Sequence, residues 1–121
     1  FENYINHRNN TSTTRKEDLT HRFYTLMMDN YREHKEVIFY ADKLHVSSKY
    51  LSEVVKETSG KSPKDWIIDY SLLEIKELLK NSSLNIQEIT IRTKFLNQSA
   101  LGRFFKRHTN MSPSEYREST Y

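Results

Sequence analysis

The feature that most constrains the fold is an internal repeat. Shifted by fifty residues, the chain lies on itself: Leu51 on Leu101, Val54 and Val55 on Phe104 and Phe105, Lys56 on Lys106, Ser62 and Pro63 on Ser112 and Pro113, and Trp66 on Tyr116. Ahead of that stretch the offset becomes forty-nine, with Tyr40 on Ile89, Ala41 on Thr90 and Val46 on Phe95. The repeated unit is a short helix, a tight turn, a longer helix, Gly or Asn, then Ser-Pro. A short helix, a three- to four-residue turn and a second helix make a helix-turn-helix. Ala41 and Thr90 are small enough for the two helices to cross. Val46 and Phe95 plug the turns.

The rest of the pattern is helical too. Leu19, Phe23, Leu26, Met27 and Tyr31 recur at three- and four-residue steps over about 16–34. Val37 to Leu44, with Ile38, Tyr40, Ala41 and Leu44, is the first short helix. The turn His45-Val46-Ser47 follows, and Ser48 to Thr58 is the longer helix, with Gly60 placed to end it. Ser62 as N-cap, Pro63 in the first turn and Asp65 at the capping-box position open a long helix to about Lys80. It carries Trp66, Ile67, Tyr70, Leu73, Ile75, Leu78 and Leu79, and at 1.5 Å per residue it spans about 28 Å. Asn85 with Glu88, and Ser112 with Glu115, are two further capping boxes. No stretch has strand periodicity. The expected class is all-α, with two helix-turn-helix subdomains joined by a long central helix, about seven helices in all. The first subdomain is expected over about 37–60, the linker helix over about 62–80 and the second subdomain over about 85–110. Residues 1–15, polar and without apolar period, are expected to be a linker or disordered tail. Because the chain opens at Phe1 rather than Met, we read it as a piece of a longer protein.

Composition excludes several classes. No cysteine is present, so disulfides, zinc thiolates and thiol nucleophiles are out. Two glycines cannot make a glycine-rich phosphate loop. The five histidines lack metal-ligand spacing, and no Ser, His and Asp are patterned as a triad, so neither a cofactor nor an enzyme is expected. No apolar run approaches the roughly 20 residues that span a membrane, and no signal peptide is visible. A net charge of +3 is too small to argue for nucleic acid, so the distribution of charge must decide.

That distribution favours the longer helix of each repeat. At about 100° per residue, Tyr50, Leu51, Val54, Val55 and Thr58 face inward, as do Ala100, Leu101, Phe104, Phe105 and His108. The outward faces carry Lys49, Ser52, Glu53 and Lys56 in the first copy, and Ser99, Gly102, Arg103 and Lys106 in the second. Asn97, Gln98 and Arg107 extend the second face, which has no acid from Asn97 to His108. Such side chains suit a major groove. Arg makes two hydrogen bonds to guanine, Gln or Asn two to adenine, and Glu accepts from cytosine. Lys and Ser reach phosphates, which fix register without reading sequence. A solvated helix face is the alternative reading of the same residues.

The segments "YADKLHVSSKYLSEVVKETSGKSPKDWI" and "IQEITIRTKFLNQSALGRFFKRHTNMSPSEYR" together resemble the DNA-binding domain of the AraC/XylS family of bacterial transcription regulators, over about Lys16 to Arg117. In the second copy the matching positions are Ile89, Phe95, Asn97, Gln98, Ser99, Arg103, Phe105, Lys106, Ser112, Pro113, Tyr116 and Arg117. The resemblance implies a cytoplasmic regulator, an activator working with RNA polymerase, whose two recognition helices enter successive major grooves of double-stranded DNA. It also implies a separate N-terminal sensor or dimerisation domain. The DNA-binding residues would be Ser48, Lys49, Ser52, Glu53, Lys56, Asn97, Gln98, Ser99, Gly102, Arg103, Lys106 and Arg107. Arg103 and Gln98 are the candidate base readers; Lys106 and Arg107 meet phosphate or solvent, and a structural role is the alternative reading of Lys106, which Lys56 repeats. Glu53 either reads cytosine or weakens the first subdomain. Where the family has Gly, this chain has Lys94 and Asn110. Leu101 replaces a usual Phe, and Gly102 a usual small polar residue. A helical protein–protein module that has lost DNA binding is the second reading; Glu53 and the low net charge favour it, and the acid-free second helix opposes it.

Overall fold

The computed structural model describes residues 11–120, with side chains from Thr14 onward. These residues form seven helices and no strand: α1 (Thr11–Asn30), α2 (Val37–Leu44), α3 (Ser48–Ser59), α4 (Pro63–Asn81), α5 (Ile86–Arg92), α6 (Gln98–Thr109) and α7 (Pro113–Glu118). The expected all-α class is what is found. Contacts divide the chain into two units, one ending at Ile68 and the other beginning at Asp69, inside α4.

In the first unit α1 packs on α2 and α3, and α2 packs on α3. Leu19, Phe23, Met27, Tyr40, Ala41, Leu44, Leu51, Val54, Val55 and Ile67 are buried apolar side chains of this unit, and Phe23 meets Tyr40 edge to face at 5.5 Å. Tyr40 is the bulkiest of them. Its hydroxyl donates to the His34 carbonyl at 2.6 Å, which makes burial of a phenol tolerable. Burial first, then the carboxylates of Glu36 and Glu33, push its ionisation well above the usual tyrosine range. The pair Lys16–Glu57 (3.2 Å) and a hydroxyl–hydroxyl bond between Thr20 and Thr58 tie α1 to α3 at the surface.

In the second unit Ile75, Leu79, Ile89, Leu101 and Phe105 form the core. Leu72, Leu78, Leu84, Ile86, Phe95, Phe104 and Tyr116 pack around it. Phe105 and Tyr116 meet edge to face at 5.4 Å. Arg117 fastens the C-terminal end, donating from Nε to the Leu79 carbonyl at 2.9 Å and from its guanidinium to the Leu78 and Leu84 carbonyls.

Several boundaries and faces differ from expectation. Helix α1 begins at Thr11, so Thr11–Arg15 are helical rather than part of a tail; residues 1–10 lie outside the described residues. A helix's first turn needs no apolar stripe once a packed body further along supplies the nucleus. At its other end α1 stops at Asn30, whose amide donates to the Leu26 carbonyl at 2.8 Å, earlier than the expected His34. Ile38, two residues from Tyr40 and so on the opposite side of a short helix, is exposed. Leu73 is likewise exposed. Tyr50, Thr58 and His108, expected inward, sit at the margins of their stripes and are exposed; His108 rests against the Phe104 ring at 4.9 Å. Trp66 is half-buried at the edge of the first core, where Nε1 donates to Ser59 Oγ at 2.9 Å.

Candidate nucleic-acid interface

Each helix-turn-helix is locked by the same local bonds. The Val46 amide donates to the Ala41 carbonyl and the Phe95 amide to the Thr90 carbonyl, both at 3.1 Å. His45 and Lys94 donate to Asp42 and Ile91 at 3.2 Å. His45 and Lys94 take left-handed backbones, with φ of 61° and 66°. That region costs a side-chain-bearing residue roughly 1–2 kcal/mol. The family's glycine at Lys94 therefore matches a real conformational demand. Asn110 ends α6 at φ 63° and Gly60 ends α3 at φ 87°, so the two repeats close their longer helices alike.

The N-caps also repeat. Ser47 Oγ accepts from the Tyr50 amide at 3.0 Å, and Asn97 Oδ1 accepts from the Ala100 amide at 2.8 Å. The second turn, however, is one residue longer. Leu96 has no counterpart in the first turn, and it stands 90% exposed. This inserted residue is the physical cause of the change in offset from forty-nine to fifty along the sequence.

On α3, Lys49, Glu53 and Lys56 are exposed, while Ser48 and Ser52 are half-buried. Glu57, which the sequence did not single out, is engaged by Lys16. On α6, Gln98, Ser99, Arg103, Lys106 and Arg107 are exposed, and Gly102 is half-buried. A Cβ added at Gly102 would meet nothing within 4 Å, so the glycine keeps a shallow spot on the outward face rather than relieving a clash. Asn97 is exposed, but its amide oxygen accepts from the helix end, which fixes the orientation of the amide. Gln98 is also engaged: its Nε2 donates to Gln87 Oε1 at 2.8 Å. Gln87, in the first turn of α5, was not predicted. Its signal in the sequence is a polar residue standing where the first copy has the apolar Ile38.

Lys106, Arg107 and His108 lie in the last turn of α6, where cations suit the helix dipole. Lys106 also helps to hold the Glu115 carboxyl below the usual carboxylate range, after the larger effects of hydrogen bonds with the Ser112 backbone and hydroxyl. A cavity of about 460 Å3 in the first unit is lined by Phe23, Tyr24 and Trp66 with Glu17 and Asp18, and holds none of the predicted site residues. Among the described residues no group of His, Asp or Glu is placed to hold a metal ion, and no helix is long and apolar enough to cross a membrane.

Two helix-turn-helix units, each presenting a polar face on its longer helix, define the class. A helix-turn-helix domain family matches residues 40–119, and the chain belongs to this AraC-type family of transcription regulators. The uncharacterized HTH-type transcriptional regulator YobQ of Bacillus subtilis is 32% identical over 77 residues, which is 64% of this chain and 32% of that relative. The chain thus spans about a third of the relative's length. Among solved structures, the C-terminal domain of AraT, a response regulator from Geobacillus stearothermophilus, is 26% identical with a TM-score of 0.73, covering 85% of this chain and 89% of that one. The DNA-binding domain of AdpA, a global transcriptional factor solved in complex with a target DNA, shares the fold at 23% identity and TM-score 0.69, covering 81% and 88%.

Proposed function

We propose that this chain is the sequence-specific DNA-binding output domain of a bacterial transcription regulator, non-enzymatic and cytoplasmic. In this reading α3 and α6 enter successive major grooves of one duplex. Arg103 and Gln98 read bases. Lys49, Lys56, Lys106 and Arg107 meet phosphates, with Ser48, Ser52, Asn97, Ser99 and Gly102 lining the approach. The domain divides into a first helix-turn-helix over about 37–60, a linker helix over about 62–80 and a second helix-turn-helix over about 85–110. The observation that carries the reading is the α6 face, where Gln98, Ser99, Arg103, Lys106 and Arg107 are all exposed on a helix without an acid. The fold shared with the DNA-bound AdpA domain supports it. RNA polymerase as partner, an activating role, and an N-terminal sensor or dimerisation domain rest on the family resemblance.

The test is a titration of promoter duplexes from the protein's own operon at two salt concentrations. Four basic side chains at phosphates give a log–log salt slope of about −3 to −4. Failure to bind any such duplex at low salt overturns the proposal. The exposed Glu53 on α3 favours a second reading, a helical protein–protein module, which predicts that failure.

A further inference from the structure

The amide pair Gln87–Gln98 is unusual for its position. It joins the first turn of α5 to the first residue of α6, and both residues are exposed. In water such a bond adds little to stability. What it fixes is orientation. A glutamine amide carries two N–H donors and one oxygen with two lone pairs. With one N–H of Gln98 given to Gln87, the other N–H and the oxygen remain. Those are the donor and acceptor that adenine's N7 and N6–H require in the major groove. A long side chain loses rotamer freedom when it binds, and one already tethered loses less.

We infer that Gln87 is a positioning residue for base reading, which holds the Gln98 amide in the orientation that pairs with an adenine edge. The inference rests on the reading of α6 as a groove helix. It is confined to the second unit: the first repeat has Ile38 and Ser48 at the corresponding positions, a pair that cannot make such a bond. Gln87 itself need not touch a base. Its role is to set which way round the neighbouring amide presents its oxygen and nitrogen.

The experiment uses the whole chain. A preferred duplex is enriched from a random library. Affinity is then measured for it, for its single A·T-to-G·C variants and for random DNA. The proteins are the wild type, Gln98→Ala, Gln87→Leu and Gln87→Glu, each checked for an unchanged thermal midpoint. Gln98→Ala is expected to lose preference at one A·T position. Gln87→Leu is expected to lower that same preference about three- to tenfold while random-DNA affinity stays within about twofold. Gln87→Glu keeps an acceptor for Gln98, so it should preserve the ratio between adenine and guanine duplexes even as its charge weakens binding to all of them. The inference is overturned if Gln87→Leu keeps the full preference that Gln98→Ala loses, or if it weakens specific and random binding alike. Either result leaves the groove reading standing. If the wild type enriches no duplex at all, the groove reading itself fails and the inference with it.

Discussion

The two helix-turn-helix units share a backbone and a few repeated side chains. Their turns make matching hydrogen bonds, their left-handed residues fall at His45 and Lys94, and their longer helices end at Gly60 and Asn110 in the same conformation. The side chains have diverged around that frame. Tyr40 and Val55 in the first core correspond in the repeat to Ile89 and Phe105 in the second, all fully buried. Outside, Glu53 answers Arg103, and Ile38 with Ser48 answers the bonded pair Gln87–Gln98. Backbone geometry of a turn is set by few residues and tolerates exchange elsewhere. The outward face has no packing to satisfy, so it is where two copies of one scaffold can take different tasks.

The cores give the largest expected contrast. Phe105→Ala should cost about 3–5 kcal/mol, as a large buried ring leaves a cavity. Val55→Ala removes two carbons and should cost about 2 kcal/mol. Urea denaturation measures both, and equal losses would break the view that the second core leans on its aromatic rings.

The faces come next. Arg103→Ala should cost about 1–3 kcal/mol on the preferred duplex and relax preference at one base pair, while Lys106→Ala weakens every duplex alike. At the matching position of the first unit, Glu53→Ala should strengthen binding to any duplex, because it removes repulsion from phosphates. A loss of specific binding with Glu53→Ala would instead make Glu53 a base reader. Equal losses on preferred and random DNA for Arg103→Ala would remove it from that role.

The turns should respond alike. His45→Gly and Lys94→Gly each relieve a left-handed backbone and should each stabilise the fold by about 1 kcal/mol. A gain in thermal midpoint at only one of them would show that the extra Leu96 has changed the strain of its turn.

The smallest effect concerns acid. The Glu115 carboxyl is held low by its bonds with Ser112 and by Lys106. Its protonated form is therefore disfavoured in the folded chain. The stabilisation is complete above the ordinary carboxylate range and is lost as pH falls through that range to the lowered folded value. Thermal midpoints of wild type and Glu115→Gln should differ at neutral pH and converge in acid. A gap that stays constant with pH would rule this linkage out.

Most of the helical frame was legible without coordinates. The capping boxes Asn85–Glu88 and Ser112–Glu115 are written three residues apart and both form. Gly60 marked a helix end by itself, whereas the positive φ at Lys94 and Asn110 was signalled only by the glycines that the resembled family has there, and that of His45 by nothing local. The central stripes of α1, α3 and α6 were legible because a 3.6-residue period assigns the middle of a face well. It assigns the margins poorly. Tyr50 and His108 were misplaced for that reason, and Ile38 was misplaced because eight residues give a short helix little period to read.

The sequence by itself thus determined the repeat, the helices, their caps and the acid-free face of α6, all of which depend on residues close together in the chain. Tertiary structure alone decided that Gln87 meets Gln98, that Lys16 takes Glu57, and that Arg117 reaches the carbonyls of Leu78, Leu79 and Leu84. Those partners stand 11 to 41 residues apart, and what brings them together is the packing of one helix on another. No local period encodes that packing, because it depends on the combined volume of every side chain between them.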